Sequence, residues 1–254
     1  MMASKSLETT QHQLALTNGR IILSDRILAD QAVVIEGQKI AGFAGIDSLG
    51  SEVEQIDVGG RYIAPGLIDL HIHGALGHTF NEPTAEAFGT ITAETAKRGI
   101  TALLATTSTA PIGALVDSLA FSRQWLAQPR SGSQILGVHV EGPYFCLAQA
   151  GAQDPANIRH PDDGTPEQLL DYHDVIKIMT FAPELPGALA LTARLVELGI
   201  TPAAGHSCAK DTEVLAAMQA GLRHIIHIWS AQSTTVREGP WRKPGLLEVT
   251  LTYD

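Results

Sequence analysis

The sequence predicts an α/β protein: a (β/α)8 TIM-type barrel, with about six of its eight βα units present, preceded by a small β-rich domain. Three observations predict it. From residue 62 onward, apolar runs of strand length alternate with longer stretches of helical character, the pattern of repeated βα units. Before that point the segments are short, β-like and closely punctuated by turns. The chemically able side chains His71, His73, Glu141, His206 and His227 sit where apolar runs end, and a parallel barrel gathers its site residues at strand ends.

Each element has its own signal. Between Gln13 and Arg61 the candidate strands are Leu14–Leu16, Arg20–Leu23, Ala32–Ile35 and Lys39–Phe43. Asn18-Gly19 and Glu36-Gly37-Gln38 separate them as turns, and such spacing suggests hairpins. Residues 1–61 are therefore assigned to the small N-terminal domain and 62–254 to the barrel. Barrel strands are expected over Leu67–His73, Thr101–Thr107, Ile135–Glu141, Ile176–Phe181, Thr201–His206 and His224–Ile228. Helices are expected over Thr84–Arg98, Ile112–Ala127, Ala188–Leu198 and Lys210–Ala220. Arg98-Gly99, Leu198-Gly199 and Ala220-Gly221 supply glycine at three helix ends. Ser207 and Asp211 are expected to help start the helix at Lys210. The stretch Gly245–Asp254 reads as a sixth helix or a seventh strand. Pro65 to Asp254 falls short of the roughly 200–250 residues of a closed barrel, so the barrel is expected to be incomplete. Its open strand edges would invite aggregation or pairing with another chain.

Composition narrows the function classes. With 254 residues, 44% hydrophobic and 17% charged, the chain has ample material for a core. A formal charge of −10 argues against a nucleic-acid partner. An anionic substrate would need a local arginine or a helix N-terminus. Two cysteines, Cys146 and Cys208, make no disulfide framework and fit reduced thiols in a cytosol. Met1–Thr10 lacks the apolar stretch of a signal peptide, and no run approaches the ~18 apolar residues of a membrane span. The expectation is a cytoplasmic protein without membrane or nucleic-acid partners.

The histidine and glutamate spacings point to a metal. His71 and His73 are two apart, so in a strand both face one side. Glu141 ends an apolar strand at Gly142-Pro143, where an isolated carboxylate is costly without a cation or donor. His206 and His227 follow from the next strands. One carboxylate and two imidazoles would supply three ligands and leave a position open, as catalytic zinc sites do. The expected activity class is metal-assisted hydrolysis. His139 lies one layer deeper on the face of Glu141 and is expected to act structurally or behind the ligands. His224, three residues before His227, is expected to face the other way, as a barrel-bottom or surface residue. Candidate general bases are Asp69, Glu184 and Asp211, with Glu184 the best placed.

Taken together, the motifs resemble those of the N-acetylglucosamine-6-phosphate deacetylases of the amidohydrolase superfamily. The matching stretches are Ala64–Gly74, His139–Pro143, Ala182–Glu184, Ala204–Ser207 and His227–Ala231, in the family's order along nearly the whole chain. The resemblance implies a (β/α)8 barrel with a small β-sandwich built from both chain ends. It implies that an N-acetylated amino-sugar phosphate, N-acetylglucosamine 6-phosphate, is cleaved to glucosamine 6-phosphate and acetate. It implies metal ligands at Glu141, His206 and His227, with His71 and His73 able to hold a second ion, Zn2+ being the expected metal. Substrate contacts are implied at Gln153, in the place of a family histidine, at Ser230 and Ala231, in the place of an Asn-Ala pair, and at Arg242 for the phosphate. A homodimer is implied. The family's catalytic aspartate falls beyond Asp254, so no catalytic base is expected within the chain. Gln153 and Ser230 keep open a different acylated sugar or a cyclic amide as substrate. The missing aspartate keeps open a non-catalytic metal-binding fragment.

Overall fold

A computed structural model describes residues 13–253, so the polar stretch Met1–Thr10, His12 and Asp254 lie outside the described residues. The chain forms two compact units, one running to Gly66 and the other covering Leu67–Asp254. In the first, β1 (Gln13–Thr17), β4 (Gln31–Glu36), β5 (Lys39–Gly45) and β6 (Glu54–Asp57) make a four-stranded sheet in the order β5-β4-β1-β6. A three-stranded sheet joins β2 (Arg20–Ile22), β3 (Ile27–Leu28) and β7 (Tyr62–Ile63) in the order β3-β2-β7. Ala15, Ala32 and Val53 form its small core.

The second unit is built on six parallel strands. These are β8 (Leu67–Ile72), β11 (Ile100–Thr107), β12 (Gln134–Glu141), β13 (Ile176–Phe181), β14 (Thr201–Ala204) and β15 (His224–Ile225). Each pairs with the next in sequence, giving the order β15-β14-β13-β12-β11-β8. Helices α1 (Ala85–Lys97), α2 (Ile112–Leu126), α3 (Pro166–Leu170), α4 (Ala188–Glu197) and α5 (Asp211–Ala220) fill the crossovers, and α6 (Leu246–Thr252) follows. Adjacent, sequential, parallel strands with helical crossovers make an arc of a (β/α) barrel. A short hairpin of β9 (Gly74–Ala75) and β10 (His78–Thr79) follows β8, and a second, β16 (Val236–Glu238) with β17 (Trp241–Lys243), precedes α6.

The period-2 alternation of the strands sorts the side chains. Val138 and Val140 of β12 and Met179 and Phe181 of β13 pack on Leu115 and Leu119 of α2 and Leu191 and Leu195 of α4. The opposite face carries Leu104, Ile178, Ala203 and Ile226, a small apolar layer, together with His139 and Glu141. The outward face thus supplies most of the core, and the inward face is free to carry chemistry. Leu67 and Ile68 of the edge strand β8 are 64% and 61% exposed, the apolar edge expected of an open barrel.

Several boundaries differ from expectation. Strand β14 stops at Ala204 instead of His206, and β15 at Ile225 instead of Ile228. The cause is backbone conformation: His206 and His227 take positive φ angles of 47° and 24°, which no β-strand accommodates. The stretch read as a sixth helix or a seventh strand is helical over Leu246–Thr252, with Glu248 accepting from the Gly245 N–H at 2.9 Å. At α5 the cap is Glu213, whose carboxylate accepts the Lys210 N–H at 2.8 Å. Ser207 and Asp211 do not cap it: the Ser207 hydroxyl serves Glu184 and the Ala209 N–H, and Asp211 accepts from its neighbour Thr212. Cys146 and Cys208, expected as free thiols, are bonded as a disulfide. Their loops follow β12 and β14, the two strands that flank β13, so residues 62 apart in sequence meet at one end of the sheet.

Candidate metal centre

Four imidazoles converge on one carboxylate. Glu141, 1% exposed, ends β12. Gly142 lets the chain turn away at once: its φ is +86°, and a Cβ there would collide with Thr109 and the Phe145 ring. His206 Nε2 lies 3.3 Å and His227 Nε2 3.2 Å from Glu141 Oε1, and the two nitrogens are 3.1 Å apart. On the other side, His71 Nε2 is 3.4 Å from Oε1, His73 Nε2 is 3.0 Å from Oε2, and those nitrogens are 3.3 Å apart. The residues separate into two ligand-like groups that share Glu141.

Hydrogen bonds on the far side of the rings decide what the near side offers. His206 Nδ1 is 2.8 Å from the Gln149 carbonyl and His227 Nδ1 is 2.9 Å from the Ser230 carbonyl. A carbonyl only accepts, so both Nδ1 atoms carry a proton, and in the neutral rings both Nε2 atoms would present lone pairs to each other and to Glu141. Three electron-rich atoms facing one another call for a cation. A tetrahedral ion with bonds of about 2.0–2.1 Å needs donors about 3.3–3.4 Å apart, close to the observed spacings of 3.1–3.3 Å. The residues therefore fit a metal ion.

Electrostatics point the same way. Burial by itself would raise the Glu141 carboxyl. Hydrogen bonds from His206, His227, His71 and His73 outweigh it and hold the group far below the usual carboxylate range. His227 is raised by its bond to Glu141, against the opposing effect of burial. A proton on these Nε2 atoms satisfies the carboxylate through hydrogen bonds, and a metal ion would satisfy it with the rings neutral and Nε2 as donors.

Behind the ligands sits a framework of fixed donors. Gln153, 7% exposed, donates from Nε2 to Glu141 Oε2 at 2.7 Å and accepts from the Thr109 N–H at 2.7 Å. Ser108 Oγ lies 3.0 Å from His73 Nδ1. His139 is fully buried: its Nδ1–H donates to the Leu70 carbonyl at 3.0 Å, and Thr180 Oγ1 donates to its Nε2 at 2.7 Å. Burial pushes its pKa down to about 3, so it is a neutral strut between β8, β12 and β13. Replacing His139 with alanine opens a cavity and strands two polar partners; a loss of about 3–5 kcal/mol in urea unfolding is expected. A loss below about 1 kcal/mol would show that the strut carries no weight.

The remaining sequence candidates lie as follows. His224 is half-buried and pairs with Ala203 of the inner apolar layer, and burial followed by the field of His71 lowers its pKa. Glu184 is not aimed at Glu141: its carboxylate accepts from Ser207 Oγ and the Cys208 N–H, and burial raises its pKa. Asp69 accepts the His71 N–H at 3.0 Å and Asp211 the Thr212 N–H. Each of the three base candidates is thus engaged locally. Ser230 and Ala231 flank the centre through backbone, Ser230 to His227 and Ala231 by accepting the Ser207 N–H at 3.2 Å. Arg242 is exposed on β17, opposite Arg237. Sequence reasoning missed Gln149, Ser108 and Thr109. The first and last act through backbone atoms, which no residue type reveals.

Comparison with known proteins gives the family. The family model of the amidohydrolase family matches residues 62–236, and that of the NagA composite domain matches residues 14–63. The chain belongs to the amidohydrolase family, on its N-acetylglucosamine-6-phosphate deacetylase branch. It is 31% identical over 196 residues to the N-acetylglucosamine-6-phosphate deacetylase of Bacillus subtilis, covering 76% of this chain and 48% of the relative. It is 33% identical over 220 residues to that of Haemophilus influenzae, covering 86% and 57%. Among solved structures, the N-acetylglucosamine-6-phosphate deacetylase of Pasteurella multocida superposes with a TM-score of 0.87 at 29% identity, covering 95% of this chain and 62% of that one. The chain thus spans about half to three fifths of the length of the proteins it resembles. No helix among the described residues is long and apolar enough to cross a membrane.

Proposed function

We propose that the chain carries the metal centre of a hydrolase that removes the N-acetyl group from an amino-sugar phosphate, N-acetylglucosamine 6-phosphate being the first candidate. The observation that carries this reading is the convergence of Glu141 Oε1 with the Nε2 atoms of His206 and His227. These three would hold the principal ion, proposed to be zinc because one carboxylate and two imidazoles are a common zinc set. His71 and His73, with Glu141 Oε2, would hold a second. When bound, the ion supplies Lewis-acid activation of water and of an amide carbonyl. The chain's own residues orient and insulate: Gln153 holds Glu141, Gln149 holds His206, Ser230 holds His227, and the Phe145 ring, centred 4.5 Å from the His206 ring, shields it. Arg242 is the proposed phosphate contact, and a cytoplasmic location is part of the same proposal.

The test is turnover by the zinc-loaded protein, read as acetate release from N-acetylglucosamine 6-phosphate and N-acetylgalactosamine 6-phosphate and as ring opening of a cyclic amide. Release from an acetylated sugar phosphate, lost in Glu141→Ala, is the expected result. Turnover of the cyclic amide alone would replace the substrate class. Metal uptake without turnover of any of them would favour the non-catalytic reading.

A further inference from the structure

The protein has two cysteines, and both lie beside proposed metal ligands: Cys146 five residues after Glu141, Cys208 two after His206. We propose that Cys146 and Cys208 form a thiol–disulfide exchange site that takes low-molecular-weight disulfides, and that the bond it makes clamps the loops which orient the metal ligands. This rests on the reading that Glu141, His206 and His227 hold a divalent ion.

The segment from Cys146 to Gln153 is the orienting platform of that centre. Its Gln149 carbonyl fixes the protonated nitrogen of His206, and its Gln153 amide fixes Glu141 Oε2. Its Gly151, at φ +58°, lets the backbone pass so close that a Cβ would sit 3.4 Å from His206 Cε1. The Cys146 N–H also donates to the His206 carbonyl at 2.9 Å. The second segment, His206-Ser207-Cys208, is held from below by Glu184, which accepts from Ser207 and Cys208. The disulfide is the covalent tie between the two segments, with Cα atoms 6.1 Å apart. Both cysteines are partly exposed, whereas Phe145 and Ser207 beside them are buried. Partial exposure of both residues is the condition under which a small reagent approaches a cysteine pair.

The chemistry balances without a further reactant. One cysteine thiolate attacks the small disulfide and expels one thiolate. The second cysteine thiolate then attacks the mixed disulfide and expels the other. The two protein sulfurs lose two electrons, the small disulfide gains them, and the two thiol protons leave on the departing thiols. With the clamp open, the platform keeps its hydrogen bonds but loses its covalent end point. Loss of a group that orients metal ligands costs on the order of 10–100-fold in affinity, and the lower end is expected here.

The experiment equilibrates the whole purified chain with oxidised glutathione, or with a phosphine reductant followed by its removal. Free thiols are counted under denaturing conditions, and cobalt(II) is titrated by visible absorption. Cys146→Ser/Cys208→Ser serves as a second open form. The expected result is no free thiol after oxidation, two after reduction, reversibly, and cobalt binding about tenfold weaker in both open forms. Thiols that stay free in oxidised glutathione would overturn the exchange site. Equal cobalt affinity in all forms would overturn the clamp. A thiolate–cobalt charge-transfer band in the reduced chain that the serine variant lacks would mean that the pair itself takes the ion with Glu184, and would also overturn it. No cobalt binding in any form would sink the metal reading and the clamp's role with it. The thiol count would still report on the exchange site.

Discussion

Replacing Glu141 with alanine is expected to abolish divalent-metal uptake, lowering cobalt or zinc affinity by well over 100-fold, while the chain stays folded. The size follows from the geometry. Glu141 is the one carboxylate in both ligand-like groups, and four imidazole nitrogens lie within 3.0–3.4 Å of its two oxygens. Losing an outer partner of a ligand costs about 10–100-fold; losing the shared anionic ligand itself must cost more. Glu141→Gln keeps the volume but replaces one acceptor oxygen with a donor amide that faces lone pairs, so the same loss is expected. His71→Ala removes one member of the second group only, and should lower stoichiometry without weakening the ion at His206 and His227. Elemental analysis and cobalt titration after chelation check all three, with circular dichroism as the folding control. A Glu141→Ala protein that binds cobalt as the parent does would remove the metal centre from this carboxylate.

The convergence of these side chains was legible in the sequence for a physical reason. Strands have period 2, so an imidazole or carboxylate at the end of an apolar run is delivered to a predictable face. His139 and Glu141 share a face and Val138 and Val140 the other, as the alternation requires. The six barrel strands were legible on the same grounds, and the four long helices from the longer stretches between them, three of which end at glycine. What escaped has a common cause. The ends of β14 and β15 are set by positive φ at His206 and His227, a conformation imposed by tertiary contacts and not by residue type. Hairpin β16–β17 is exposed along nearly its whole length and carries no apolar alternation, leaving Gly239-Pro240 as its only turn signal. The carbonyls of Gln149 and Ser230 fix the tautomers that make the site metal-ready, yet any residue could have supplied them. The disulfide needed the parallel strand order before Cys146 and Cys208 could be seen as neighbours.

Gln153→Leu is expected to weaken cobalt affinity by about 10–100-fold and to cost about 2 kcal/mol of stability. The resemblance to the deacetylase family suggested a substrate contact at this position, but the side chain has both polar atoms engaged inside the protein. Its Nε2 donates to Glu141 Oε2 and its Oε1 accepts from the buried Thr109 N–H. Leucine matches the volume but leaves the Thr109 N–H unpaired, the origin of the stability cost. It also frees the Glu141 carboxylate to rotate about its last bond, which withdraws Oε1 from His206 and His227 part of the time. Gln153→Glu should be worse for stability and no better for metal, because it sets a second buried carboxylate against Glu141 while still accepting from Thr109. Gln153→His keeps one donor and one acceptor and should recover part of the affinity. Titrating metal with no sugar present separates positioning from substrate contact. If Gln153 acts only on substrate, the leucine variant binds cobalt like the parent and loses affinity for the sugar phosphate alone. If it positions Glu141, metal affinity falls before any substrate is added, and weaker sugar binding follows from the emptier centre.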